Sequence, residues 1–331
     1  MDLTLPLGLI PVLLLVLAAE FVNGWTDAPN AIATVVSTRV LAPTTALIMA
    51  TALNIVGAMT GTAVAATIGK GIVRAEAIDA VTIAGAMVAI VAWSTLAAFR
   101  GLPTSESHAL VAGLAGAAIA SAGPGVLLAD GWRKVLIGIG FSTVLGFAGG
   151  FVLILAVSWI FRRAHLRAAR RLFGRLQIVS AAFMAFSHGS NDGQKFIGVF
   201  TLALVLGGVL PEFRIPIWVI LLCAGTMGIG TAIGGWRIVH TMGLRLTKLE
   251  PYQGFAAETA AAGAITLASR FGIPLSTTHT INTAIMGVGA TRRFSAVRWG
   301  VGLEIVTAWV LTFPVCAFIA AVATLLLKWL L

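Results

Sequence analysis

Charged residues are scarce in this sequence. Asp, Glu, Lys and Arg make up 10% of its 331 residues, whereas soluble proteins carry roughly 25%. Apolar residues account for 59% of the chain. A soluble globule needs more polar and charged side chains than this to cover its surface. The composition therefore excludes a soluble enzyme, a secreted binding module and a disordered tail, and it predicts a protein embedded in a lipid bilayer.

Cysteine is also rare, and positive charge is missing from the start of the chain. The two cysteines, Cys223 and Cys316, lie in apolar stretches, so a disulfide framework is not expected. The first Lys or Arg is Arg39, whereas a cleaved signal peptide begins with positive charge. We therefore interpret the apolar segment from Leu3 to Ala19 as part of the first membrane helix.

The basic residues are placed between long apolar segments. A net charge of +10 would suggest a nucleic-acid partner in a soluble protein, but this placement predicts membrane topology and no nucleic acid. Several segments exceed the roughly 20 residues that a membrane helix needs. The apolar segments lie at about 3–23, 43–68, 77–99, 133–161, 177–206, 215–236, 255–269 and 297–330.

One strongly basic segment, 162–176, separates the fourth and fifth apolar segments. The positive-inside rule predicts that it is a cytoplasmic linker of a multi-pass protein in the cytoplasmic (inner) membrane. Docking of a cytoplasmic regulatory protein on this linker is a further hypothesis, which rests on its charge alone.

The regions on either side of the linker resemble each other. Asn23–Asn30 matches His188–Lys195 with an offset of 165, including a Gly and an Asp at equivalent positions. Gly101–His108 matches Gly272–His279 with an offset of 171, and both contain a Pro, a Ser and a final His. Two motifs that recur in the same order at nearly one offset indicate an internal duplication.

The duplication predicts an all-α polytopic membrane protein with about 10–12 helical segments. We expect two inverted-topology repeats, 1–161 and 177–331, with broken helices and two re-entrant hairpins tipped by the Pro-Ser-His motifs. Three crossings in each half, an odd number, would invert the second copy. Such repeats are typical of secondary transporters, whose binding site lies near the midplane.

Three carboxylates within apolar segments are candidates for a coupling cation, because charges inside a membrane are costly. Asp27 and Asp192 follow glycines, and we expect the helix to unwind there, so that the carboxylate and free carbonyls bind Na+ or the Asp takes up a proton. Glu258, at the start of the second hairpin, could likewise bind a coupling cation or proton. The alternative is that these acids cap helix ends at the interface.

The Pro-Ser-His motifs favour an anion site. A half-helix that starts after each Pro presents free N–H groups and a positive dipole end, and neighbouring hydroxyls add donors. The alternative is that these residues are N-caps only. His108 and His279 lack the companions of a zinc site, so no metal other than Na+ is expected, and we expect them to hold the hairpin tips through hydrogen bonds. The hydroxyl residues are Ser105, Ser107, Ser276, Thr277 and Thr278.

Lys195 has two interpretations, as a contact for an anion or as an internal partner for Asp192. The sequence does not decide between them.

These motifs resemble those of the inorganic phosphate transporter (PiT) family of cation–phosphate symporters. Phe186–Lys195 is similar to the second copy of the family signature, and Gly272–His279 to its hairpin motif. The resemblance covers essentially the whole chain. It implies about 12 helical segments, a homodimer in many members, and roles for particular residues. It implies cation and phosphate sites at Asp27, Asn30, Asn191 and Asp192, and phosphate binding by Ser105, Glu106 and Ser107 and by Ser276, Thr277 and Thr278.

The chain departs from the family pattern at three positions. Thr26 stands where an Asn is expected, Glu106 stands where the second copy has Thr277, and Asn54 lies near an acidic position of some sodium-coupled relatives. The choice between Na+ and H+ therefore stays open.

The predicted function is secondary active import of inorganic phosphate by symport with Na+ or H+, with no other cofactor. The inside-negative potential opposes entry of an anion by about 2.3 kcal/mol per charge per 100 mV, so cations must accompany it. The nearest alternatives are a symporter of sulfate or another tetrahedral oxyanion and a passive anion channel. A hydrolase that uses Ser276, His279 and Asp192 is disfavoured by the duplication and by the lack of a nucleophile elbow.

Overall fold

The computed structural model describes residues 6–330. Nearly all of this range is helical, and the isolated bridge between Val73 and Leu127 is its only β-type pairing within the described range. The helices are α1 (Ile10–Ser37), α2 (Pro43–Ala58), α3 (Ala63–Gly71), α4 (Ala80–Phe99), α5 (Glu106–Ala122), α6 (Ala129–Ile160), α7 (Leu166–His188), α8 (Gln194–Leu206), α9 (Ile217–Ile233), α10 (Trp236–His240), α11 (Pro251–Arg270), α12 (Thr277–Ala290) and α13 (Trp299–Leu330).

Several helices have the length and apolarity of a membrane span. Helix α1 with the turn before it, α4, α6 and α13 each qualify alone. Helices α2 and α3 qualify together but are bent by 67°, and α9 with the segment Trp236–Arg245 is bent by 61°. The broken elements therefore occur at equivalent places in the two halves, as the duplication predicts.

The first hairpin, α4–α5, opens toward one face of the molecule. The hydroxyls of Thr82 and Ser121 lie 2.8 Å apart, which brings the start of α4 beside the end of α5. Asp79, just before α4, pairs with Lys328 near the end of α13 at 3.1 Å. The last turn of α13 therefore lies at the same face.

The second hairpin, α11–α12, opens toward the opposite face. One cavity is lined by Phe161 after α6, Arg170 of α7, Glu250 before α11 and Arg292 after α12. The long helices α6 and α13 thus run in opposite directions between the two faces. This inverted arrangement confirms the predicted fold class.

The two halves exchange helices in their packing. Helix α5 packs against α13, and α12 packs against α6. In the same way α1 packs against α9, and α2 against α7. Residues 106–118 of α5 and 277–289 of α12 are buried, so both half-helices are surrounded by protein. The exact division at 161 and 177 stays a prediction, and residues 166–176 of the basic segment form the first turns of α7.

The predicted unwinding at the first Asp motif is wrong. Helix α1 runs without a break through Gly24 and Pro29, and the second motif forms a single π-helical turn, Gly189–Gly193, between α7 and α8. The glycines instead allow close helix packing. A Cβ on Gly24 would lie 2.1 Å from the Met227 carbonyl oxygen, so α1 and α9 can approach only if this residue lacks a side chain.

The breaks before α5 and α12 follow from the duplicated Gly-x-Pro sequence. Gly101 and Gly272 have φ values of 68° and 63°, a left-handed conformation that ends α4 and α11. Pro103 and Pro274, two residues later, cannot continue a helix. Each hairpin therefore turns inside the protein and starts a new half-helix there.

Candidate functional site

The tips of the two hairpins meet in the interior. The hydroxyl of Ser276 donates to the hydroxyl of Ser105 over 2.8 Å. Each serine is also the N-cap of its half-helix, because Ser105 accepts from the His108 amide at 3.3 Å and Ser276 from the His279 amide at 3.2 Å. The positive dipole ends of α5 and α12 therefore converge on one region. These two hydroxyls act as caps and join the tips.

A first polar cluster consists of Asp27 and Asn30 of α1 and Thr278 of α12. The Thr278 hydroxyl donates to Asp27 Oδ1 over 3.1 Å. The Asn30 amide donates to the Thr278 hydroxyl over 3.0 Å. The other carboxylate oxygen, Asp27 Oδ2, is buried and has no hydrogen-bond partner in residues 6–330. The cluster thus presents an uncompensated acceptor in the interior.

A second polar cluster consists of Asp192 of the π-turn, Lys195 of α8 and Ser107 of α5. The Lys195 ammonium donates to Asp192 Oδ1 over 2.5 Å and to the Ser107 hydroxyl. It donates also to the Leu275 carbonyl over 3.0 Å. The Thr277 hydroxyl donates to the remaining oxygen, Asp192 Oδ2, over 3.0 Å. Every residue of this cluster is buried.

His188 lies between the two clusters. Its Nε2 is 3.8 Å from Asp27 Oδ2 and 3.6 Å from Asp192 Oδ2. Its Nδ1 is 3.1 Å from Asn54 Oδ1. The ligand atoms of His188 and the two aspartates lie within 4.8 Å of one another, so a positive charge placed here would be held by both carboxylates.

Glu106 points away from the second-hairpin tip. Its Oε1 accepts from the Thr26 hydroxyl at 2.9 Å, and its Oε2 accepts from the Ser94 hydroxyl at 2.8 Å. Both oxygens thus face α1 and α4. The predicted phosphate contact of this residue stays a prediction.

Asn191 lies against the end of α11 and the hairpin turn that follows it. Its amide nitrogen donates to the Ser269 hydroxyl over 2.8 Å and to the Ile273 carbonyl over 3.4 Å. It therefore ties the π-turn to the end of α11. Its predicted role in phosphate binding stays a prediction.

Glu258 occupies a separate polar cage between α1, α7 and α11. The carboxylate accepts from the hydroxyls of Thr34 and Ser180. The Gln177 amide donates to it over 3.2 Å. All four residues are buried, so a charge on Glu258 is shielded by neutral donors alone.

The expected hydrogen bonds of the two hairpin histidines are absent. Neither ring nitrogen of His108 or His279 has a hydrogen-bond partner among the described residues. The rings pack edge to face with centroids 4.4 Å apart, and His279 stacks on Trp309 at 3.6 Å. Any support of the hairpins by these side chains therefore comes from aromatic packing, because the two rings face each other, Phe313 and Trp309.

Buried acids outnumber buried bases in this interior. Within residues 6–330 the buried acidic side chains are Glu20, Asp27, Glu106, Asp192 and Glu258, whereas Lys195 is the single buried Lys or Arg. Sequence reasoning assigned no role to His188 or Glu20 and did not settle the role of Lys195. A signal was present, because each is a polar side chain inside an apolar segment.

These features define a class of protein. Interlocked inverted halves, two re-entrant hairpins that meet inside, and carboxylates beside converging helix N-termini are the features of a secondary transporter that moves an anion with a cation.

Comparisons with known proteins identify the family. Residues 23–320 match the phosphate transporter family, PHO4. A Bacillus subtilis (strain 168) protein named "Probable low-affinity inorganic phosphate transporter" is 40% identical over 331 residues, which cover 99% of each chain. A Rhizobium meliloti (strain 1021) protein of the same name is 45% identical over 326 residues, 97% of each chain. A solved structure titled "The sodium-dependent phosphate transporter" has a TM-score of 0.88 and 26% identity, and covers 98% of this chain and 99% of its own. The chain therefore belongs to the phosphate transporter family, as the motifs predicted, and is not an enzyme.

Proposed function

We propose that this protein imports inorganic phosphate across the cytoplasmic membrane by symport with Na+ or H+. The observation that carries this proposal is the excess of buried carboxylates over buried Lys and Arg, five against one within residues 6–330. Buried charge of one sign is costly unless it is compensated. A cation that enters with phosphate compensates the acids and the anion together.

The phosphate ligands in this proposal are hydroxyls and helix N-termini at the hairpin tips. Thr277 and Thr278 begin α12, and Ser107 lies in the first turn of α5. Free N–H groups and the positive dipole ends of both half-helices add to these hydroxyls. Ser105 and Ser276 contribute indirectly, because their hydrogen bond holds the two hairpin tips together.

The coupling cation in this proposal is bound by carboxylates. Asp27, with its free oxygen and its neighbour Asn30, offers ligands that suit Na+ or a proton. Asp192 joins the same region through His188. Glu258 is a second candidate, and it lies in a cage of its own. Binding of cation and phosphate would strengthen each other, because each offsets the charge of the other.

Labelled phosphate uptake into proteoliposomes tests this proposal. The purified chain is given a Na+ gradient, a proton gradient or neither, with excess sulfate as competitor. We expect accumulation above equilibrium with one of the two gradients, and resistance to sulfate. Uptake that only equilibrates would indicate a passive anion channel, and loss of uptake to sulfate would indicate a symporter of another tetrahedral oxyanion. A homodimer and a regulator on segment 162–176 stay predictions.

A further inference from the structure

The two polar clusters are equivalent by the internal duplication. Each contains one Asp, the residue three positions after that Asp, and the seventh residue of the opposite hairpin motif, Thr278 in the first cluster and Ser107 in the second. The offsets of 165 and 171 found in the sequence relate all three members. The clusters differ most at one position, because the first has Asn30 where the second has Lys195. The first cluster therefore has a neutral amide at the position where the second has a positive charge.

The surroundings of Lys195 resemble those of a bound cation. Its ammonium contacts a carboxylate oxygen of Asp192, the hydroxyl of Ser107 and the carbonyl of Leu275. Carboxylate, hydroxyl and carbonyl oxygens are the ligands that hard cations prefer. Lys195 is 1% exposed, so this charge is compensated by the protein rather than by water.

We propose that the Lys195 ammonium is a tethered coupling cation. It fills the position in the second polar cluster that a mobile cation would take, while the first polar cluster remains open to one. The protein then moves one mobile cation fewer with each phosphate than two open clusters would require. This inference rests on the proposed function and adds to it the number of coupling sites.

The alternative role of Lys195 is a direct contact with phosphate. An ammonium has three N–H donors, and here all three are directed at protein oxygens. These contacts pair the ammonium with Asp192 and leave it no further N–H donor for an anion. The hydroxyls of Thr277 and Thr278 differ, because a hydroxyl can rotate and both residues lie in the first turn of α12, where backbone N–H groups are free. The geometry therefore favours the cation role.

The substitution Lys195→Asn tests the proposal, because it gives the second cluster the same amide that the first has in Asn30. Lys70→Asn is the matched control, since Lys70 is an exposed residue in the last turn of α3 and contacts the ring of Phe213. Two quantities are measured on the full chain. The first is the charge moved per phosphate, from reversal potentials in proteoliposomes. The second is the number of coupling cations bound per protein in detergent, counted as radioactive Na+ or, if uptake follows the proton gradient, as protons taken up.

We expect Lys195→Asn to bind one more coupling cation, Na+ or H+, per protein and to move one more cation per phosphate than the native chain. Lys70→Asn should match the native chain in both. An unchanged count of the coupling cation in folded Lys195→Asn would overturn the proposal. An unchanged charge ratio with a raised KM for phosphate would also overturn it and would indicate an anion contact.

The binding count does not require transport, so it decides the role of Lys195 even if a variant is inactive. A native chain that fails to accumulate phosphate with any cation gradient would refute the proposed function separately. The two failures are therefore distinguishable. Lys195→Gln, with a longer amide, serves as a second variant should Lys195→Asn not fold.

Discussion

The hydroxyl of Thr277 donates a hydrogen bond to Asp192 Oδ2 over 3.0 Å, across 85 residues of sequence. This bond joins the tip of the second hairpin to the π-turn between α7 and α8. The same carboxylate also pairs with Lys195. Asp192 therefore contacts both the Thr277 hydroxyl, a proposed phosphate donor, and the Lys195 ammonium, the proposed tethered cation. Any change in charge at Asp192 must therefore alter the donors that the hairpin presents, which is the physical requirement for coupling.

Asp27→Asn should abolish cation-driven accumulation of phosphate while the protein still inserts in the membrane. The substitution keeps the size of the side chain and its bond from Thr278, but removes the charge that the coupling cation must neutralise. Uptake in proteoliposomes measures the effect. Asp130→Asn, at an exposed position of α6, is the control and should transport normally. Native accumulation by Asp27→Asn would contradict the role of this carboxylate.

Thr277→Ala and Thr278→Ala should each raise the apparent KM for phosphate roughly tenfold or more. A hydrogen bond to a charged group contributes about 1.5–3 kcal/mol, and about 1.4 kcal/mol corresponds to a factor of ten. Thr307→Ala is the control, because this exposed hydroxyl bonds only within α13. Initial uptake rates over a range of phosphate concentrations give the KM. An unchanged KM in both variants would remove these hydroxyls from the phosphate site.

Much of the fold was predictable because short, unusual motifs occur in both halves of the chain and reveal the duplication. Gly-x-Pro followed by Ser and His specified both hairpins, since a glycine with positive φ ends a helix and a proline two residues later disfavours its continuation. The state of α1 was not predictable in this way. Gly24 could serve either an unwound turn or a close helix contact, and only the position of Met227 on α9 distinguishes them.

The candidate site was predictable in its residue types but not in its pairings. Asp27 and Asp192 were apparent as carboxylates in apolar segments, but the neighbours of Glu106 depend on how α1, α4 and α5 pack. Lys195 illustrates the same limit. Its position in the motif left two roles open, and the direction of its three donors favours one of them.

Glu258→Gln and Glu258→Ala should differ in stability. Gln retains an acceptor for the Thr34 and Ser180 hydroxyls, whereas Ala leaves buried donors unsatisfied and costs at least about 2 kcal/mol. Thermal unfolding in detergent measures this difference. If Glu258 carries a coupling charge, Glu258→Gln should also lose one cation per phosphate. A stable Glu258→Gln protein with the native coupling ratio would limit this residue to a structural role.

The face of the molecule that carries the basic segment 162–176 should lie in the cytoplasm. Single cysteines can report this, because both native cysteines are buried. We expect Arg167→Cys to be protected from an impermeant thiol reagent in intact cells, and Glu76→Cys, on the opposite face, to be labelled. The positive-inside rule is the reason. Labelling of Arg167→Cys alone would reverse the orientation, and labelling of neither or of both would contradict the assignment of the two faces.

Asp79 should make stability depend on pH in the acid range. Partial burial acts to raise its pKa, but hydrogen bonds from the Thr82 hydroxyl and amide and the Lys328 ammonium outweigh this and hold the pKa below its ordinary value of 3.8. The folded state thus favours the charged form. Its contribution is complete above the ordinary pKa and is lost as the pH falls through the lowered one.

Two substitutions at Asp79 separate the charge from the helix cap. Asp79→Ala should cost about 1 kcal/mol at neutral pH, because α4 loses its N-cap. Asp79→Asn keeps an N-cap, so it should stay closer to the native stability at neutral pH. Its midpoint temperature in detergent should also fall less than that of the native chain between pH 5 and pH 3, where carboxylates of ordinary pKa titrate. Equal acid sensitivity of the native chain and Asp79→Asn would show that the pairing with Lys328 does not stabilise the contact between α4 and α13.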